Sequence, residues 1–424
     1  MAQSAIAQRT LRRVTRRLMP FLFLLYIIAY IDRINIGFAG LQMTSDLHFS
    51  NSVFGFGSGI FFAGYALLGI PGAVLIERWS ARKAIAVTML VWGCVASATG
   101  LIHSANQFYA MRVLLGITEA GFFPGVIGFL AHWYRKEDRA KAIAMFMAAS
   151  PVSQVLASPI SAALLKVHWG GLAGWRWLLI LEGVPAVLAG LVSYLYLTDR
   201  PSHARWLQPA ERQWLEAELE REHASKGPRA RMSLIDALHH RDVVMLALAY
   251  FGGTCGTYGL GLWMPKIVQQ LGQLSEVKAA LLAGIPALAG IPAMLLVGWH
   301  SDDTGERRWH SSIPRMVAAV AMAVLALIPV SIPMTLALLG IALAGIYAGF
   351  PPLWSIPSSF LGTTAAAASI GLINSFGNLG GFLGPYLIGR FSQGSGDFNA
   401  GMGFIGIASL SSALFVLLVR RRPV

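Results

Sequence analysis

Apolar residues in this chain are grouped into twelve long runs separated by short polar connections. The runs cover residues 18–41, 52–76, 84–104, 107–131, 140–164, 176–197, 243–265, 277–299, 314–332, 334–356, 364–390 and 400–419. A helix of about 20 residues crosses the roughly 30 Å hydrocarbon core of a bilayer, so each run is long enough to span a membrane. The pattern predicts an all-α polytopic membrane protein with twelve transmembrane helices.

The longest polar interval divides these runs into six and six. It covers 199–242 and contains an amphipathic stretch, Pro209 to Ala224, with the spacing of a short helix. We therefore predict an N-terminal six-helix bundle over 1–198, a cytoplasmic linker over 199–242 and a C-terminal six-helix bundle over 243–424. The linker helix either joins the two halves or binds a regulatory partner.

The composition agrees with a membrane protein and gives its orientation. Hydrophobic residues make up 55% of the chain and charged residues 12%, which is too little polar surface for a soluble protein of this size. The net charge is +13, and the basic residues concentrate in the connections after the second, fourth, sixth and eighth runs. Because cytoplasmic loops are enriched in Lys and Arg, we predict that both termini are cytoplasmic and that nucleic acid is not a partner.

The sequence carries no sign of an enzyme or of a cofactor. Its two cysteines, Cys94 and Cys255, lie inside apolar runs, where packing as small hydrophobic residues is favoured over a disulfide. It contains no Walker A motif, no metal-ligand cluster and no nucleophile elbow. We predict a protein without catalytic activity, metal or cofactor.

Four ionisable residues interrupt two of the apolar runs. Asp32 and Arg33 stand side by side in the first run, and Arg112 and Glu119 lie in the fourth. The last two are seven residues apart, which puts them on nearly the same face of a helix, about 10 Å apart. A charge at that depth is costly, so it persists facing a cavity or a partner. We expect the four to converge on one site; a mutually neutralising structural network is the alternative.

The chemistry of these groups suits a carrier of anions. The Arg33 guanidinium is permanently charged and presents a fork of donors that matches a carboxylate. Asp32 and Glu119 are titratable, and their environment can change their proton affinity, as proton coupling requires. Further candidates for substrate contact are polar or aromatic side chains in other runs: Tyr30, Tyr65, Gln154, Tyr258, Trp354, Asn374 and Asn378. For each of these, packing between helices is the alternative role.

Two connections at corresponding positions of the halves resemble each other. AVLIERWSARK follows the second run and GWHSDDTGERR follows the eighth. Aligning Glu77 with Asp302 places Ser80 on Gly305 and brings basic residues near the end of both copies. A repeat in matching loops of two six-helix halves is typical of parallel duplication in transporters.

These features resemble the major facilitator superfamily, whose motif after helices 2 and 8 is G-x-x-x-D-R-x-G-R-[RK]. The second copy here keeps Gly298, Asp302 and Gly305, and the first departs from the motif at Glu77, although it keeps Arg78. The resemblance implies a gating role for these loops, carried by Glu77, Arg78, Asp302 and Gly305.

Four segments are similar to the anion:cation symporter branch of that superfamily: YIDRINIGFA, RVLLGITEAGFFPG, GWRWLLILEGVPA and INSFGNLGGFLGP. The chain as a whole resembles bacterial tartrate, phthalate and sugar-acid permeases. The resemblance implies that Arg33 and Asn374 contact the anion. It also implies that Asp32 and Glu119 carry protons and that Arg112 tunes Glu119.

The expected function is import of a small organic anion by proton symport with alternating access of two bundles. The anion is a hydroxy-dicarboxylate such as tartrate, or a related sugar acid or aromatic carboxylate. A proton-coupled exporter or exchanger of organic compounds on the same fold is the alternative. We expect a monomer in the lipid bilayer of the bacterial inner membrane.

Overall fold

The computed structural model describes residues 2–78, 80–224, 239–360, 363–394 and 397–420. Within these ranges the regular structure is helical, and no strand occurs. The α-helices are Ala2–Asp46, Asn51–Arg78, Ala81–Thr99, Ala105–Glu119, Phe122–Ala131, Lys136–Met147, Ala149–Leu164, Gly174–Tyr196, Pro209–Ala224, Arg241–Gly272, Glu276–Leu282, Ile285–Leu288, Gly290–Thr304, Arg308–Leu327, Ile332–Ala348, Phe350–Phe360, Thr363–Asn378, Gly380–Phe391 and Asn399–Leu418. Two short 3₁₀ turns, Trp169–Gly171 and Pro201–His203, lie in connections.

These helices form twelve membrane spans, which we number in chain order. Eleven segments among the described residues are long and apolar enough to cross a bilayer, judged by length and composition. Helices Thr363–Asn378 and Gly380–Phe391 follow each other in the predicted eleventh run and supply the remaining span. The prediction of an all-α protein with twelve transmembrane helices is confirmed.

Several spans consist of consecutive helices with a break between them. The fourth span breaks between Glu119 and Phe122, and the tenth breaks at Gly349. Pro351 and Pro352 follow the second of these breaks; because proline has no N–H to donate, it weakens the helix ladder there. A broken helix at membrane depth is tolerated where other groups satisfy the freed backbone.

The linker helix Pro209–Ala224 lies against the N-terminal half. Leu215 and Leu219 are buried, and Arg13 of the first span pairs with Glu211 at 2.7 Å. Farther along, Arg139 reaches Glu222 at 3.1 Å. We call this side of the molecule, with the linker helix and the two chain ends, the terminal face. The opposite side, which carries the connection 47–50 between the first two spans, is the distal face.

The two halves touch closely toward the distal face, and glycines make this possible. A Cβ placed on Gly37 of the first span would lie 2.6 Å from the carbonyl oxygen of Leu262 in the seventh. A Cβ on Gly59 of the second span would lie 2.6 Å from the carbonyl oxygen of Phe382 in the eleventh. Small residues let helix backbones approach in this way.

Hydrogen bonds between the halves reinforce this contact. The Gln42 amide donates to Glu276 at 2.7 Å, and the Lys266 ammonium donates to Asn51 at 3.0 Å. The Ser158 hydroxyl lies 2.6 Å from the carbonyl oxygen of Ala280 in the eighth span. The distal face is therefore closed in this structure.

Candidate functional site

Arg33 lies where the two halves meet and bonds to both of them. Its Nη1 donates to the hydroxyl of Tyr258 in the seventh span at 2.9 Å. Its Nη2 forms an ion pair with Glu119 in the fourth span. The rings of Phe61 and Tyr65 lie 5.5 and 5.2 Å from the guanidinium carbon, within the range of cation–π attraction. The structure thus brings four sequence-predicted residues together: Arg33, Tyr65, Glu119 and Tyr258.

Close packing of the second and fourth spans positions Glu119. A Cβ on Gly116 would lie 2.0 Å from the carbonyl oxygen of Phe61, and one on Gly64 would lie 2.4 Å from that of Val113. The helix ends at Glu119, directly before the break in the fourth span. The Glu119 carboxylate is fully buried and has one oxygen, Oε2, without a hydrogen-bond partner among the described residues.

Asp32 faces away from this interface, into the N-terminal half. Adjacent residues of an α-helix point about 100° apart, so Asp32 and Arg33 cannot share one direction. The Trp92 indole of the third span donates to Asp32 Oδ2 at 2.8 Å. Asn35 and Thr99 line the same small space. The expectation that all four ionisable groups converge on one chamber therefore does not hold for the Asp32 side chain.

Arg112 lies between these two environments. It is buried, its Nη2 donates to the carbonyl oxygen of Ser58 at 3.2 Å, and the Phe61 ring lies 5.0 Å from its guanidinium carbon. It is close enough to Asp32, Arg33 and Glu119 to interact with each electrostatically. Arg112 therefore connects Asp32, inside the bundle, with the Arg33–Glu119 pair at the interface.

A chain of polar groups crosses the interface beside Arg33. The hydroxyls of Tyr30 and Tyr347 are 3.2 Å apart, and the Tyr347 hydroxyl donates to Gln154 Oε1 at 2.8 Å. The Tyr30 ring lies 6.4 Å from the ring of Tyr258. The first, fifth, seventh and tenth spans thus meet here. Sequence reasoning selected Tyr30, Gln154 and Tyr258 but missed Tyr347, because a single hydroxyl in an apolar run gives no distinctive signal.

The remaining candidates of the C-terminal half contact other groups. Asn378 donates from its amide to Asn374 Oδ1 at 3.2 Å, so the two amides bond to each other. The Trp354 ring packs on Tyr250 at 4.8 Å in an apolar cluster that includes Val243 near the start of the seventh span. No contact in the described part of the chain joins Trp354 to Arg33.

The predicted gating loops are only partly described. The side chains of Glu77 and Arg78 lie outside the described residues. Asp302 forms an ion pair with Arg307, five residues later, and no bridge from Asp302 to another helix occurs among the described residues. Gly305 has φ +69°, a left-handed conformation that favours glycine, and it ends the helix there.

A third buried carboxylate, Glu182 in the sixth span, was missed. The Ser161 hydroxyl of the fifth span donates to Glu182 Oε1 at 2.8 Å. The signal that selected Asp32 and Glu119, an acid inside an apolar run, is present in LLILEGVPA and could have found it.

A cavity of about 480 Å³ opens between the first and fifth spans toward the terminal face. Thr15, Met19 and Met145 are among the residues that line it, and none of the predicted site residues does. Among the described residues, no cluster of three His, Cys, Asp or Glu side chains could hold a metal ion.

The family model of the Major Facilitator Superfamily matches residues 22–385. The chain belongs to this superfamily. A relative from Agrobacterium vitis, named "Putative tartrate transporter", is 44% identical over 422 residues, which are 99% of this chain and 97% of the relative. The "Quinolone resistance transporter" of Acinetobacter baumannii is 36% identical over 96% of this chain and 94% of its own.

Solved structures of the superfamily have the same fold. The structure titled "Crystal structure of D-xylose-proton symporter" aligns over 95% of this chain and 97% of its own, with a TM-score of 0.75 and 16% identity. This chain is therefore a multi-pass membrane protein and a secondary transporter, not an enzyme.

Proposed function

We propose that this transporter carries a small organic anion together with protons, by alternating access of its two halves. The anion is a hydroxy-dicarboxylate such as tartrate, or a related sugar acid or aromatic carboxylate. The main support is the position of Arg33, a buried guanidinium at the meeting point of the halves. A relative named for tartrate and 44% identical also favours this substrate class.

The proposed coupling uses competition for Arg33. In this structure Glu119 holds the guanidinium as an ion pair. A proton on Glu119 removes the negative charge from that pair, and Arg33 becomes free to take a substrate carboxylate with its forked donors. When the anion leaves and Glu119 loses its proton, the pair forms again. Proton and anion are therefore bound together, which is symport.

The hydroxyl and amide groups around Arg33 complete the proposed substrate site. Tyr30, Tyr65, Gln154 and Tyr258 are supplied by the first, second, fifth and seventh spans and can bond to substrate hydroxyls. Asn374 and Asn378 bond to each other here, and we propose that they exchange this bond for the substrate. Trp354 forms part of the wall on the terminal side.

The proposed orientation has both termini in the cytoplasm of a bacterial cell, with the protein as a monomer in the inner membrane. The basic connections on the terminal face support it. The closed distal face is then the periplasmic side, so this structure is closed toward the periplasm. We propose that two loops close the cytoplasmic side in the outward-facing state: the loop with Glu77 and Arg78 and the loop with Asp302 and Gly305.

Export of organic compounds is the second candidate, since a relative 36% identical to this chain is named a quinolone resistance transporter. The distinguishing experiment uses right-side-out and inverted membrane vesicles with labelled tartrate. An importer accumulates the label in right-side-out vesicles when the outside is made acidic. Accumulation in inverted vesicles alone would support the exporter.

Glu119→Gln in purified protein and liposomes tests the coupling. We expect this variant to keep anion exchange between the two sides and to lose accumulation driven by a proton gradient. Arg33→Ala should lose both activities. Accumulation by Glu119→Gln at the wild-type level would contradict the assignment of Glu119 as a proton carrier.

A further inference from the structure

Glu182 is a buried acid that neither substrate binding nor the Arg33 pair uses. The residue is 5% exposed, and the Ser161 hydroxyl donates to one carboxyl oxygen at 2.8 Å; Asn35 of the first span is close enough to influence the carboxyl group. The other oxygen, Oε2, has no partner among the described residues. Leaving an ionised carboxylate in this condition is costly in a low-dielectric interior.

The charges in the interior of the N-terminal half do not balance. In the described part of this half, three carboxyl groups, Asp32, Glu119 and Glu182, and three guanidinium groups, Arg33, Arg112 and Arg176, are buried. Arg176 does not offset these carboxylates, because it donates to the carbonyl oxygens of Gly100 and Ile102 and pairs with a fourth acid, Asp46, toward the distal end. Without Arg176, three acids stand against two guanidinium groups. One bound proton makes the set of five neutral.

We propose that Glu182 binds and releases a proton during transport and forms, with Asp32, a route for protons from the distal face to Glu119. Asp32 and Glu182 are close enough to interact electrostatically, and Asn35, on the same span as Asp32, lies near the Glu182 carboxyl group. Asp32 in turn interacts with Arg112 and Glu119. The proposal rests on the proton symport proposed above and adds an acid to it.

Depth in the membrane gives the order of these acids. Glu182 is eight residues from the distal start of its helix at Gly174, or about 12 Å at 1.5 Å per residue. Asp32 is fourteen residues from the distal end of its helix at Asp46, or about 21 Å. A proton entering from the distal face therefore meets Glu182 first and Asp32 afterwards.

Among the described residues, no cation contacts the Glu182 carboxyl group. The first span contributes Asp32 and Asn35, and the fifth contributes Ser161. The third span contributes Ser97, which does not titrate and whose hydroxyl donates to the carbonyl oxygen of Ile180. Asp32 is thus the titratable neighbour of Glu182 in the described part of this half.

Infrared spectroscopy of purified protein in lipid tests the proposal without any transport. Wild type should show a C=O stretching band of a protonated carboxyl group that disappears when the pH is raised. Glu182→Gln should lack this band, and Ser161→Ala should shift its frequency because a hydrogen bond to the carboxyl is lost. Glu137→Gln, an exposed acid with 66% of its side chain accessible, is the control and should leave the band unchanged.

Two results would overturn the proposal. One is a Glu182→Gln spectrum identical to that of wild type. The other is a Glu182 band that persists at every pH at which the protein stays folded, since a carboxyl group that never releases its proton cannot carry one. In liposomes, Glu182→Gln should also lower the number of protons moved per anion. If tartrate is not transported at all, the infrared result still decides the role of Glu182.

Discussion

Arg33 contacts both halves of the protein, and it uses a different guanidinium nitrogen for each contact. Nη1 reaches Tyr258 in one half and Nη2 reaches Glu119 in the other. A lysine has one ammonium group and cannot reproduce a fork of fixed geometry. We therefore expect the forked geometry of the Arg33 guanidinium, and not only its positive charge, to determine the affinity for the anion.

Arg33→Lys tests this expectation. We expect the affinity for a dicarboxylate to fall roughly tenfold to a hundredfold, because a hydrogen bond to a charged group contributes about 1.5–3 kcal/mol. Uptake at varied substrate concentration measures the change. Arg13→Lys, at the partly exposed pair with Glu211, is the matched control and should leave uptake unchanged. Equal affinity in wild type and Arg33→Lys would exclude forked recognition of the anion.

Glu306, in the loop before the ninth span, acts on the start of that helix. Partial burial raises the pKa of its carboxyl group, but the backbone N–H of Trp309 and the side chain and backbone of His310 outweigh burial and hold the pKa below its usual range. The carboxylate accepts from the Trp309 N–H at 2.9 Å. It thus satisfies donors that the first turn of a helix leaves free.

Glu306→Gln should lower thermal stability at neutral pH by about 0.5–1 kcal/mol, the usual range for a helix cap. Since the pKa is lower in the folded than in the unfolded chain, the contribution is present above the unfolded value and is lost as pH falls through the folded value. The difference in melting temperature from wild type should therefore shrink as the pH falls below the ordinary glutamate pKa of about 4.3. Glu220→Gln, on the linker helix, serves as the control; a difference independent of pH would contradict the cap.

At the scale of helices, the glycines on the second and eleventh spans determine how tightly the distal face closes. Gly59 touches the backbone of Phe382, and Gly55 touches that of Pro385 with an equally short Cβ distance of 2.6 Å. Backbone atoms cannot move aside as the end of a flexible side chain can. Any side chain at these positions must separate the two spans.

Gly59→Ala should therefore favour a state with the distal face open. Overpacking costs about 1–3 kcal/mol, so we expect the closed population to fall by roughly tenfold relative to the open one. Spin labels on Leu47→Cys and Leu274→Cys, with Cys94 and Cys255 replaced by Ala, report the distance across this face. Gly128→Ala, where a Cβ meets nothing within 4 Å, is the control. An unchanged distance distribution in Gly59→Ala would show that this contact does not limit opening.

At the scale of the whole molecule, transport requires the distal face to open and close. The Gln42–Glu276 bond joins the first and eighth spans across the halves and marks a place where they can be held together. With Gln42→Cys and Glu276→Cys in the background without Cys94 and Cys255, a short bifunctional thiol reagent should reduce anion uptake to background. A reducing agent that cleaves the link should restore uptake. Both single variants should tolerate the reagent, and uptake by the linked protein would exclude rocking of rigid halves.

Much of this molecule could be predicted from sequence, and the failures have physical reasons. Apolar run length predicted the spans because the bilayer fixes the length of a helix. Charge in an apolar run predicted that Arg33 and Glu119 meet inside the protein, because an unpaired charge at that depth is costly. The direction of Asp32 could not be predicted, since 67% of the most apolar window of the first span is buried and a helix surrounded by protein has no polar face. Tyr347 acquires its partners, Tyr30 and Gln154, only through the packing of spans that are distant in sequence.

The hydrogen bonds that close the distal face determine how its opening responds to salt. Lys266 meets the neutral Asn51, and Glu276 meets the neutral Gln42, so opening these contacts separates no pair of opposite charges. Dissolved ions weaken attraction between opposite charges but have little effect on a hydrogen bond with an uncharged group. The opening of these two contacts should therefore depend little on the salt concentration outside the cell.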